Sequence, residues 1–129
     1  MEEPIRPLEE AARLAELWSP RVIGEVDDSY VKVARVRGTL CWHVHDDEDE
    51  LFFVLRGRLK IAMQDRSVEL GPGDLYVVPR GVRHNPVADE ECLLMLIERK
   101  STLHTGGTVT ERTRSIEEQL RPRSEPGPR

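Results

Sequence analysis

A chain of 129 residues, 38% hydrophobic and 33% charged, is long enough to bury one core without cross-links and too apolar to stay unfolded throughout. No stretch approaches eighteen apolar residues, which excludes a membrane-spanning helix, and the acidic start Met1-Glu2-Glu3-Pro4 lacks the apolar centre of a signal peptide, so a cytoplasmic protein is expected. The net charge is −5, and Lys and Arg are scattered among acids, which excludes the clustered basic surface that nucleic-acid binding requires.

Three zones follow in chain order: 1–20, 21–100 and 101–129. In the first, Leu8, Ala11, Ala12, Ala15 and Trp18, with Leu14 and Leu17 beside them, recur at helical spacing up to Ser19-Pro20. This pattern predicts a short amphipathic N-terminal helix packed on the main body.

The second zone reads as strand after strand. Tyr30 to Val36 alternates and stops at Gly38. Leu51 to Leu55 is a near-continuous apolar run closed by Arg56-Gly57. Leu59, Ile61 and Met63 alternate with Arg58, Lys60 and Ala62, and Asp65-Arg66 forms a turn toward Val68 and Leu70. Gly71-Pro72-Gly73-Asp74 separates these from Leu75 to Val78, and Pro79-Arg80-Gly81 leads to His84 at the start of another strand, with Cys92 to Ile97 last. Short strands divided by Gly/Pro turns, with no helix between them, predict an all-β sandwich or barrel and exclude a βαβ layout.

In the third zone, Thr105-Gly106-Gly107-Thr108 reads as a loop and Ser115-Ile116-Glu117-Glu118 as the cap of a short helix. The Arg-bearing stretch after Glu111 reads as a solvated tail, and Arg121 to Arg129 as a flexible, disordered end. Cys41 and Cys92 belong to no C-x-x-C pair and read as buried thiols.

The chemistry concentrates on histidine. His43 and His45 are two apart in an apolar stretch, so on an extended chain both rings face one way. Glu50 follows the acidic turn Asp46-Asp47-Glu48-Asp49, where an antiparallel return can bring it back beside the pair. That acidic run is no EF-hand loop, because the sixth position from Asp46 is Leu51 instead of Gly. Three imidazoles and a carboxylate would suit one divalent transition metal: Fe, Mn, Ni, Co or Zn.

The combined pattern is more specific than its parts. Gly38-x4-His43-x-His45-x4-Glu50-x6-Gly57 is followed by Gly73-x5-Pro79-x-Gly81-x2-His84. This resembles the two signature motifs of the cupin superfamily, and small single-domain microbial cupins in particular, over roughly Val31 to Ile97. Two departures stand out: the first spacing is one residue short, and Ala88 occupies the place of a closing Asn.

The resemblance implies a single double-stranded β-helix (jelly-roll) barrel, with His43, His45, Glu50 and His84 as metal ligands and a homodimer as the common assembly. An apolar N-terminal face around Leu14, Leu17 and Trp18 offers a surface for such pairing. The implied function is a metalloenzyme acting on a small oxygen-rich substrate, of dioxygenase or isomerase type, with a non-catalytic small-molecule or metal sensor as the alternative. Glu50 is the expected catalytic base, since no other interior carboxylate is evident.

Strand parity sends Cys41 toward the interior with His43 and His45, and puts Phe52 and Val54 on the Glu50 face as an apolar wall. The orientations of Tyr76 and Met95 stay open. Arg35, Arg37, Lys60, Arg80 and Arg83 fall on the polar face, which makes a phosphorylated substrate a minority expectation. His104 lies outside both motifs, and no site role is expected of it.

Overall fold

The structure, a computed structural model, describes residues 3–122; the expected disordered end from Arg123 onward lies outside the described residues. The elements are α1 (Pro7–Ala12), β1 (Arg21–Val26), β2 (Ser29–Thr39), β3 (Glu50–Arg56), β4 (Leu59–Met63), β5 (Ser67–Leu70), β6 (Leu75–Val78), β7 (His84–Arg99) and α2 (Ile116–Gln119). No helix among them is long and apolar enough to cross a membrane.

All pairings between the named strands are antiparallel. One sheet path runs β1-β2-β7-β3-β6, and β4 joins β7 to β5. The closure depends on β7, which is sixteen residues long. Its first residues, His84 to Val87, pair with β4, whereas Cys92 to Arg99 pair with β2, and Leu93 to Glu98 also meet β3. One bent strand therefore serves both walls. The two strands expected at His84 and at Cys92 are this single element; the acidic Asp89-Glu90-Glu91 between them interrupts the hydrophobic pattern without ending the ladder. Gly57 sits against this bend with φ 90°, and a Cβ there would come within 2.6 Å of the Glu91 carbonyl oxygen. Only glycine suits such an approach.

Alternation sorts the side chains into two cores. Phe52, Val54, Leu59, Ile61, Leu94 and Leu96 fill the interior, and Tyr76 packs against them. Val33, Leu93 and Ile23 lie on the outer face, where Ala11 and Leu14 cover them beside Leu55 and Met95. Met95 thus points under the N-terminal segment, away from the interior.

The N-terminal helix is shorter than its periodicity predicts. It ends at Ala12, and no side-chain hydrogen bond caps its start. Burial of Trp18 overrides the helical pattern. Trp18 is 3% exposed, adopts φ 58°, donates its backbone N–H to Arg35 O and its indole Nε1–H to Arg37 O at 2.8 Å. A helix continued to Ser19 could not deliver the ring into the barrel this way. Leu14 and Trp18 are buried within the chain, while Leu8 and Leu17 are exposed, so of the face expected to support pairing Leu17 stays open.

The segment after β7 departs from a solvated tail. Thr102, Thr105 and Gln119 are buried, and α2 carries the expected capping box, with Ser115 and Glu118 each bonding the other's backbone N–H. This strap packs on the barrel end that bears His43 and His45: a Cβ on Gly106 would collide with the Val44 carbonyl oxygen.

Candidate metal centre

Three local features gather the four motif residues. His43 and His84 form an isolated antiparallel bridge, each donating its backbone N–H to the other's carbonyl at 3.0 and 2.9 Å. His45 lies two residues on, its carbonyl accepting from Gly81 N–H at 2.9 Å, which ties the two motifs together. Glu50 opens β3 between Val78 and Glu98. All four side chains are buried, and one donor atom from each lies within 4.8 Å of every other.

The ring orientations suit an ion. His43 Nδ1 donates to Cys41 O at 2.9 Å, and His84 Nδ1 donates to Val82 O at 2.9 Å, so both rings turn Nε2 inward. Backbone carbonyls commonly fix metal-binding histidines in this manner. His45 Nε2 is buried 3.4 Å from Glu50 Oε1, with no shorter polar contact among the described residues. Donors on opposite sides of an ion, with bonds of about 2.1 Å, lie about 4.2 Å apart, so the cluster is compact enough for one metal.

Electrostatics favour the same reading. Burial opposes ionisation of Glu50, yet hydrogen bonds and charge from His45 and His84 outweigh it and hold the carboxyl well below its usual range. Burial likewise opposes protonation of His45 and His84, and Glu50 reverses the sign and raises both. His43 lacks that partnership; burial, then the neighbouring His84, pushes it down to about 4. A carboxylate thus favours positive charge on two imidazoles at the place where a cation would sit.

The cluster opens, through His43 and Glu50, onto a small, partly open cavity. Its walls include Trp18, Leu40, Phe52, Leu94 and Leu96, and its polar lining includes His43, Glu50, Glu98 and His104. Phe52 and Val54 are buried on the Glu50 face as parity predicts, though only Phe52 lines the cavity. Cys41 departs from its expected place. It is half-buried with Sγ 3.9 Å from His43 Nδ1, on the ring edge turned away from the cluster, and Leu40 lines the cavity instead. Strand parity fails there because residues 40–49 form a loop with a single bridge at His43. Arg35, Arg37, Lys60, Arg80 and Arg83 stay off the cavity wall, as alternation predicts.

Two cavity-lining side chains escaped the sequence reading. Glu98 is an interior carboxylate, 5% exposed and directly across the ladder from Glu50, which corrects the expectation that Glu50 stands alone. Lys32, 1% exposed, donates to Glu98 Oε1 at 2.8 Å, while Glu98 Oε2 is buried without a partner among the described residues. Burial, then the adjacent Glu50, pushes the Glu98 carboxyl upward against the pull of Lys32. The signal for Glu98 was parity with Leu94 and Leu96. His104 is the second: it lines the cavity from the strap, though it stands outside the metal cluster.

Comparison with known proteins agrees with this architecture. Residues 31–98 match the Cupin_2 family model, described as a cupin domain. The chain belongs to the cupin family. It is 35% identical over 79 residues to the Bacillus subtilis protein YdbB, covering 60% of this chain and 70% of that one. Among solved structures, a cupin-2 domain protein from Shewanella frigidimarina shares 43% identity with a TM-score of 0.71, covering 74% of this chain and 93% of the other. Protein NMB1881 from Neisseria meningitidis shares 28% identity at a TM-score of 0.69, covering 75% and 99%.

Proposed function

We propose that the chain is a mononuclear metal cupin in which His43, His45, Glu50 and His84 hold one divalent transition metal that binds a small oxygen-bearing molecule, and that this serves catalysis of dioxygenase or isomerase type. The observation that carries the reading is one cluster of four buried donors, of which His43 and Glu50 line a largely apolar cavity. A purely structural ion needs no such opening, since structural sites close their coordination with protein ligands. When bound, an ion with open positions would polarise a ligand oxygen or activate O2.

The chain's own residues do the rest. Trp18, Leu40, Phe52, Leu94 and Leu96 exclude water, which strengthens polar interactions at the centre. Glu50 is held in place by two histidines, so the acid–base role expected of it passes to Glu98, a buried carboxyl at the cavity wall that burial and the adjacent Glu50 push up to about 8. That group favours catalysis over simple sensing, because a sensor has no use for a proton-exchanging carboxyl kept beside its ligand.

Elemental analysis tests the metal directly. About one equivalent of metal is expected in the purified protein, with loss in His43→Ala, His45→Ala, Glu50→Ala and His84→Ala. Retention of metal in a His43/His45 double variant would refute the ligand set. An oxygen electrode then separates the reactions, since a dioxygenase consumes O2 in step with substrate and an isomerase does not.

A further inference from the structure

We propose that His104 is the hydrogen-bond donor that orients the ligand in this cavity, and that the ligand is a compact, largely apolar oxygen chelator carrying one further acceptor oxygen. The proposal rests on the metal-centre reading above and names the ligand class for that site.

The geometry begins with the strap. It is anchored where Gly106 abuts Val44, where Thr105 and Thr113 share a hydrogen bond at 2.7 Å, and where the Gln119 side chain donates to Arg114 O at 3.0 Å. This fixes a segment remote in sequence against the loop that bears His43 and His45. The His104 ring then has one nitrogen committed: Nδ1 accepts the Arg114 backbone N–H at 2.9 Å. An accepting Nδ1 places the proton of a neutral imidazole on Nε2. Burial, with Lys32 next, pushes this histidine down to about 3, so the ring is neutral and its tautomer single. It therefore offers a donor, Nε2–H, on a ring that lines the cavity.

The remaining lining defines what such a donor would meet. His43 and Glu50 belong to the metal cluster, and Glu98 stands beside it. The other walls are apolar, and among the described residues no Arg or Lys borders the cavity. A phosphoryl group would demand cationic or multiple N–H partners, and a polyol would leave several hydroxyls unpaired against apolar walls. A hydroxy-ketone or enolised dicarbonyl fits instead: two oxygens for the metal, an apolar body for Phe52 and Leu94, and one acceptor for His104.

The test uses zinc-loaded protein labelled with 15N-histidine and 3-hydroxy-2-methyl-4-pyranone, a bidentate oxygen chelator with a further ring oxygen. The His104 Nε2 resonance is expected to show a bound proton at neutral pH and to shift as the pyranone saturates the site. His104→Leu is expected to weaken pyranone binding about ten-fold, the cost of one neutral hydrogen bond, with zinc affinity unchanged, and His104→Gln to recover most of the loss. An unmoved His104 resonance at saturation, or a Leu variant that binds pyranone as the native protein does, overturns the role of His104. Zinc bound without pyranone binding overturns the ligand class. Failure of the native protein to bind zinc overturns the metal reading itself, a result distinct from the other two. Should the Leu variant lose zinc as well, the resonance of the native protein alone decides.

Discussion

Replacing Lys32 by Met tests whether a buried charge network underlies the site. Lys32 and Glu98 are 1% and 4% exposed in their side chains, and Nζ lies 2.8 Å from Oε1. Methionine keeps most of the apolar stem, so packing changes little. What is lost is the cation paired with a carboxylate already crowded by Glu50. Breaking a buried pair by removing one partner costs about 3–5 kcal/mol, and the low end applies, because Glu98 can relieve itself by taking a proton. A domain of this kind has about 5–15 kcal/mol in total, so the variant should unfold at markedly lower urea. The double variant Lys32→Met/Glu98→Leu removes both charges and should recover to within about 1 kcal/mol of the native protein, giving a coupling of about 3 kcal/mol. Urea denaturation of chelator-treated protein, with equal m-values, measures all four corners of the cycle. A single variant within about 1 kcal/mol of native, or additive losses in the double, would refute the reasoning.

Gly106→Ala is expected to cost about 1–3 kcal/mol, because φ is 58° and the new methyl group would meet the Val44 carbonyl; limited proteolysis should then cut the strap first, and native-like resistance would contradict its docking. The buried His104 gives a pH signature of stated sign. Its folded pKa of about 3 lies below the unfolded value near 6.5, so the unfolded chain binds more protons across that window. Stability contributed by neutral His104 is present above about 6.5 and is lost as pH falls, with a slope of at most about 1.4 kcal/mol per pH unit. In His104→Gln the stability difference from native protein should shrink steadily from pH 6.5 to 4.5 by chemical denaturation, and an unchanged difference would show that the ring titrates as in water. Lys32, Glu50, His43 and Arg114 all act on this ring, so the comparison is between variants rather than between absolute curves.

What the sequence disclosed and what it hid follow from the range of the forces involved. The two motifs were legible because they are patterns of spacing along the chain, although the contacts they make, Gly57 against the Glu91 carbonyl and His43 bridged to His84, join residues far apart in sequence. The capping box at Ser115 and Glu118 was legible as a spacing too. The N-terminal helix was overread because a periodic pattern reports which side chains want burial, not the backbone that buries them, and Trp18 reaches the interior from a left-handed turn.

Glu98 and Lys32 were hidden for a different reason. Both faces of β7 are apolar from Cys92 to Ile97, one covered by the barrel interior and the other by α1 and its neighbours. With no alternation to read, a charged residue at the end of such a run looks like the point where the strand leaves the core. The register states the opposite: Glu98 faces Glu50 on one side and Tyr30 on the other, in line with Leu94 and Leu96. A buried acid is tolerable there only because Lys32 arrives from β2, 2.8 Å away. Neither residue makes sense as an interior group without the other, and the two are 66 positions apart in sequence. A carboxylate and an ammonium buried together beside a metal-type cluster cost desolvation that apolar residues would avoid. Their presence is therefore better explained by what happens to a ligand at the cavity wall than by stability.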